Sequence, residues 1–251
     1  MRRIHCEVPM DAWAMGEVVT LPPEASHYAS RVLRLQSGAT VELFNRSGIA
    51  WTGELTVAEG SITVRLEQRL EGDPAQADAI PVLLLMAHSR PRKLELVLQK
   101  STELGVEAVW IVPAERAVSK PAADRLESRL ERWEKIAAEA ARQCGRRRAP
   151  EVRFHASLVD ALRELPPWAV AKWACAVDAD THSLAGQMAG QEPPAGAVLA
   201  VGPEGGFTGG ELEVLDGEGF ARASLGPRVL RTETAPLVAL TVIQSLWGDL
   251  G

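Results

Sequence analysis

Four apolar residues, Val198-Leu199-Ala200-Val201, run directly into Gly202-Pro203-Glu204-Gly205-Gly206-Phe207-Thr208. A short continuous apolar run suits a strand buried on both faces, and the glycines that follow let the backbone turn sharply with no Cβ in the way. Thr208 and Glu211 have capping-box spacing, which predicts a helix from there to about Glu218, with Gly219 just past its end. The plan then repeats. Phe220 to Leu225 reads as a strand, Gly226-Pro227 as a turn, and Thr232 or Thr234 as the cap of a last helix through Leu246. Two such units describe a ligand crevice in an open α/β sheet, where ligands bind outside the carboxyl ends of the strands. A P-loop is excluded because no lysine lies between Asp178 and Phe220, and neither turn has the Gly-x-Gly-x-x-Gly of a dinucleotide site.

The same alternation begins near residue 81. Pro81 to Ala87 and Val106 to Val112 read as buried strands, with a helix marked by Leu94, Val97, Leu98 and Leu104 between them. Apolar residues at Leu126, Leu130, Trp133, Ala137, Ala140 and Cys144 predict one long helix over 124–144. Further strands are expected at Glu151 to His155 and Val170 to Val177, which makes a parallel sheet covered on both faces. Before residue 70 the pattern differs. Ile4-Cys6-Val8, Val18-Val19-Leu21, Val41-Leu43, Leu55-Val57 and Ile62-Val64-Leu66 alternate with period two, and Asn45-Arg46-Ser47-Gly48 reads as a hairpin turn. This predicts a small antiparallel barrel, interrupted by one helix from Glu24 to Leu33 that exposes Arg31 and Arg34. Polar residues 71–78 mark the boundary between the two patterns.

No run is long enough to cross a bilayer, and Glu7 and Asp11 interrupt what a signal peptide would need, so a cytoplasmic protein is expected. Cys6, Cys144 and Cys175 are scattered and suggest neither a disulfide framework nor a metal site. The net charge of −6 argues against a nucleic-acid partner, but its distribution argues for one. Eight acidic residues and no Lys or Arg fall between Asp178 and Phe220, while Arg142, Arg146, Arg147, Arg148 and Arg153 cluster, as do Arg90, Arg92 and Lys93. Local basic patches neutralise phosphates whatever the global sum, although solvated helix ends have the same composition.

Gly-Pro-Glu-Gly-Gly-Phe at 202–207, followed by Leu-Gly-Pro-Arg-Val-Leu-Arg-Thr-Glu-Thr-Ala at 225–235, closely resembles the RsmE family, the 16S ribosomal RNA (uracil-N3) methyltransferases of the SPOUT superfamily. Arg31-Val32-Leu33-Arg34, Gln99 to Val106 and Gln143 to Glu151 are similar to it as well. The resemblance implies a PUA-like RNA-binding β-barrel over 1–72 and, over 73–251, a parallel α/β methyltransferase domain with a C-terminal trefoil knot, acting as a homodimer. It implies S-adenosyl-L-methionine as cofactor, held by Val201, Gly202, Glu204, Gly205, Gly206, Leu225, Gly226, Val229 and Leu230. The 176–180 stretch, with Asp178 and Asp180, departs from the family pattern. A β-branched side chain at Gly205 is expected to fill the space where backbone meets ligand.

The implied acceptor is N3 of the small-subunit uridine conventionally numbered 1498. Its proton must leave or the developing anion must be stabilised, for which Arg228, Arg231 and Glu233 are the catalytic candidates, with Glu204 a second proton acceptor. Arg31, Arg34, Arg90, Arg92, Lys93, Arg146, Arg147 and Arg148 are the candidate RNA contacts. A non-catalytic RNA-binding or ribosome-assembly protein, and a SPOUT enzyme with another target base, remain open alternatives.

Overall fold

The computed structural model describes residues 1–6, 8–45, 49–58, 61–70, 79–118, 125–176 and 182–251. The chain forms two compact units, Met1–Ala77 with Ala141–Ala149, and Asp78–Ala140 with Pro150–Gly251. The polar boundary at 71–78 lies outside the described residues.

The first unit contains β1 (Arg2–His5), β2 (Val18–Thr20), β3 (Ala39–Phe44), β4 (Ala50–Ala58) and β5 (Ser61–Leu70), hydrogen-bonded in the order β1-β3-β4-β5-β2. Alternate residues face one core, with Ile4, Val41, Leu43, Leu55, Val64 and Leu66 essentially inaccessible. One pairing departs from the antiparallel expectation: β1 runs parallel to β3, Arg2 opposite Val41. The long connection between them, which includes β2 and a helix, allows this, since parallel neighbours need a crossover rather than a tight turn. The expected hairpin turn at 45–48 falls mostly on residues outside the described set. The helix is shorter than expected. An α-helix α1 (Pro23–His27) passes into a π-helical turn over Tyr28–Val32, and Arg34 follows at φ 52°.

The second unit is built on six parallel strands: β6 (Val82–Ala87), β7 (Ala108–Val112), β8 (Glu151–Phe154), β9 (Ala171–Cys175), β10 (Ala197–Val201) and β11 (Ala221–Ala223). Their order is β11-β9-β10-β6-β7-β8. The apolar run of β6 is buried throughout because it has cores on both sides. Val82, Leu84 and Met86 pack with α2 (Pro91–Glu103), α3 (Leu126–Cys144) and α7 (Ala235–Trp247). Leu83, Leu85 and Ala87 pack on the other face with α4 (Leu158–Arg163) and α6 (Gly209–Gly217). A short α5 (Leu184–Met188) completes the set. In the expected stripe of α3, Trp133, Ala137 and Ala140 are buried, whereas Cys144 is exposed where the helix ends.

Candidate active site

The carboxyl ends of β9 and β10, neighbours in the sheet, and the turn that follows β11 open into a cavity of about 590 Å³. That is a usual size for a small-molecule site. Val201 ends β10, and the turn from Gly202 closes with the Gly206 amide donating to the Pro203 carbonyl at 2.8 Å. Gly206 has φ 70°, a conformation that favours glycine. At Gly202 the limit is space, because an added Cβ would lie 2.8 Å from the Phe207 nitrogen and 3.0 Å from the Gly206 carbonyl carbon. The capping box forms in both directions: Thr208 Oγ1 accepts from the Glu211 amide at 3.3 Å, and Glu211 accepts from the Thr208 amide at 2.8 Å.

Strand β11 stops at Ala223, two residues short of expectation, and so releases Leu225 and Gly226, the latter at φ 104°, into the second turn. That turn enters α7 with the Thr234 and Ala235 amides on the Arg231 carbonyl; Thr234 takes the cap position without a side-chain cap bond. All nine residues expected to hold the cofactor line this cavity, as do Arg228 and Arg231. One further residue of the wall, Arg116, carried no family motif. Arg116 Nη1 donates to the Gly205 carbonyl at 3.1 Å, and the neighbouring Glu115 amide donates to Glu211 at 2.9 Å. Gly205 has more room than expected, since its added Cβ would meet only the Arg116 side chain, at 3.1 Å.

Lys93, a candidate RNA contact, lines the cavity, with Nζ 3.2 Å from Glu204 Oε1 and 3.1 Å from Glu233 Oε2. The hydrogen bond to Glu233 does most to raise the Lys93 ammonium above its ordinary value, with Glu204 adding to it and burial opposing. Burial alone would raise the Glu233 carboxyl. Its own backbone N–H, Lys93 and the charge of Arg231 together hold it below the ordinary carboxylate range, which makes it a weak proton acceptor in this arrangement. Arg231 itself is 82% exposed and only 3.9 Å from Glu233. Cys175, also in the wall, is pushed up by burial to about 12 and is therefore a thiol at neutral pH. Asp178 and Asp180 lie outside the described residues.

The candidate RNA contacts divide by exposure. Arg31, Arg34, Arg90, Arg92 and Arg148 are exposed. Arg146 and Arg147 are each only 4% exposed, and Arg147 Nε donates to the buried Glu42 at 2.9 Å, beside Arg3 at 3.0 Å. They are part of the interior of the first unit rather than of a surface for phosphates. Glu42 alternates with the core-facing Val41 and Leu43, so its spacing reads as solvent-facing, and nothing in the sequence says that a cation 105 residues away covers it. Among the described residues, no group of three or more His, Cys, Asp or Glu is placed to hold a metal, and no helix is long and apolar enough to cross a membrane.

Residues 76–244 match the family model of an RNA methyltransferase domain, and residues 21–67 that of an RNA methyltransferase PUA domain. The ribosomal RNA small subunit methyltransferase E of Synechocystis sp. is 34% identical over 230 residues, covering 91% of this chain and 73% of that one. The chain belongs to the RsmE family. The Bacillus subtilis RsmE protein is 30% identical over 253 residues, 97% of this chain and 96% of its own. A crystal structure of RsmE from Neisseria gonorrhoeae, bound to S-adenosyl methionine, superposes over 100% of both chains with a TM-score of 0.78 at 31% identity. The expected architecture of a PUA-like module and a parallel α/β methyltransferase domain is thus the architecture of the RsmE family.

Proposed function

We propose that this chain transfers a methyl group from S-adenosyl-L-methionine to N3 of a uracil in 16S ribosomal RNA, the uridine conventionally numbered 1498. The observation that carries the reading is the pair of glycine turns, 202–207 and 225–234, enclosing one cavity at the carboxyl ends of neighbouring parallel strands in a member of this family. The residues fit the cofactor. Gly202 has no room for a side chain, and Leu225, Val229 and Leu230 give an apolar wall beside backbone N–H and C=O groups. Val201, Gly202, Glu204, Gly205, Gly206, Leu225, Gly226, Val229 and Leu230 would hold it. Once bound, its sulfonium supplies an activated methyl group, so no protein nucleophile is required.

The chain's own residues position and neutralise. Arg228 and Arg231 stand at the exposed rim of the cavity, where they attract the RNA and favour negative charge on the uracil. Glu233 orients the cations beside it rather than taking the proton, consistent with its lowered pKa. In the same reading the amino-terminal PUA-like domain, 1–72, grips RNA through Arg31 and Arg34, and the 73–251 domain, with Arg90 and Arg92 exposed, carries the cofactor site within a trefoil knot. The enzyme acts as a cytoplasmic homodimer on the small ribosomal subunit or its 16S rRNA. The test is incubation with isotopically labelled cofactor and undermethylated small subunits, followed by mapping of the modified nucleoside. Label at N3 of a single uridine is expected. Label on another base would favour a different target, and cofactor binding with no transfer would favour a non-catalytic binder.

A further inference from the structure

We propose that Lys93 is a catalytic residue of the transfer, its ammonium donating to the uracil oxygen on which charge gathers as N3 loses its proton; this rests on reading the site as a uracil-N3 methyltransferase centre. Lys93 is in the first turn of α2, a turn with no acidic residue. A cation there faces the positive end of the helix dipole, so the position disfavours lysine as a helix residue and needs another reason. The side chain leaves the helix surface for the cavity wall. There it meets one carboxylate from each glycine turn, Glu204 at 3.2 Å and Glu233 at 3.1 Å. Both are ion-pair contacts, and the ammonium they hold in place is itself part of the cavity wall, within reach of what enters there.

Burial decides between Lys93 and the arginines as the principal stabiliser. The Lys93 side chain is 25% exposed and Arg231 82% exposed. Coulomb interactions at an effective dielectric of about 20 are roughly four times those in bulk water at about 80, so a charge at the half-buried wall acts more strongly than one in solvent at the rim. The two glutamates also keep Lys93 protonated, so it acts as a fixed donor and not as the base. In the step, the N3–H bond breaks and its proton passes to solvent water. The electron pair stays on the ring, with its charge shared by the two carbonyl oxygens, one of which accepts from Lys93 Nζ. The N3 pair then bonds to the methyl carbon while the carbon–sulfur pair goes to sulfur.

The test compares Lys93→Met with the parent in cofactor titration calorimetry and in single-turnover methylation of small subunits across pH. Loss of a preorganised donor to a developing anion costs about 10²–10³-fold in rate. The expected result is a loss of that size with cofactor affinity nearly unchanged, and a gap that narrows as pH rises, because N3 then ionises without help. A rate that falls only as far as cofactor affinity falls, with a parallel pH profile, would make Lys93 a tie between the turns and overturn the proposal. Should Lys93→Met fail to fold, Lys93→Gln keeps donors for both carboxylates without the charge and is judged by the same two outcomes. If the parent itself places no methyl on uracil N3, the proposed function fails. If the parent does so and the variants match its rate, only the role of Lys93 fails.

Discussion

Replacing Gly202 with alanine probes the cofactor turn where it has least room. The added Cβ would sit 2.8 Å from the Phe207 nitrogen, 3.0 Å from the Gly206 carbonyl carbon and 3.2 Å from Gly206 Cα. All three atoms are backbone of the same turn and none can swing aside, so the turn must open. Overpacking of this kind costs about 1–3 kcal/mol. Expressed as stability, at about 2–4 °C per kcal/mol for a chain of this length, it lowers the thermal midpoint by roughly 2–12 °C. Expressed as the cost of re-forming the turn around the ligand, it weakens cofactor binding about 5- to 150-fold, at ~1.4 kcal/mol per decade. Gly205→Ala is the control. Its Cβ would meet Arg116 side-chain atoms at 3.1 and 3.3 Å, and that side chain is exposed and able to move. A change within about 0.5 kcal/mol is expected there. Thermal unfolding with calorimetric titration of S-adenosylmethionine reads both variants. A Gly202→Ala protein that melts and binds like the parent, or a Gly205→Ala protein that is the more damaged, would refute this account.

Arg147→Ala leaves Glu42 buried with one guanidinium fewer, and breaking such a pair costs about 3–5 kcal/mol, to be read by denaturant titration. At Glu42, burial alone raises the carboxyl, but the hydrogen bonds and charges of Arg147 and Arg3 outweigh it and hold the pKa below the ordinary 4.5. The folded state therefore binds fewer protons, so this stabilisation is present above pH 4.5 and lost as pH falls through the lower folded value. Glu42→Gln should flatten that acid limb in a pH series of unfolding free energies. Arg148→Ala, at an exposed position, should reduce the slope of RNA affinity against salt by about 0.9 if the side chain meets a phosphate, with cofactor affinity unchanged. Arg231→Ala should slow single-turnover methylation less than Lys93→Met does, because the arginine acts from solvent.

Local chemistry was legible in the sequence and distant pairing was not. Thr208 and Glu211 announce their helix because both halves of the capping box lie within one turn, and the bonds are as the spacing requires. The apolar run at 82–87 announces a strand covered on both faces, and alternate residues do enter two cores. By contrast, β1 beside β3 in parallel depends on a pairing that period-two alternation does not specify. Arg146 and Arg147 read as surface because a basic run after a helix usually is one, and the carboxylate that draws Arg147 inward is on β3. The place of Lys93 in the cavity wall was not legible for the same reason: its partners Glu204 and Glu233 follow more than a hundred residues later. Arg116 shows no local signal, since its contact is to a backbone carbonyl on another loop.

The cavity wall is drawn from residues as far apart as Lys93 and Ala235. During synthesis, a chain that has emerged only to residue 224 has the first glycine turn but none of the second, and so has half a pocket. Tight cofactor binding must await residues 225–235, and the sheet that carries the site, with its non-local parallel pairings, is of a kind that assembles slowly. The cofactor therefore favours the finished unit over partly built forms, contributing about 2.7 kcal/mol when present at 100 times its dissociation constant. Cells short of S-adenosylmethionine would then hold an enzyme that is idle and also easier to unfold and degrade.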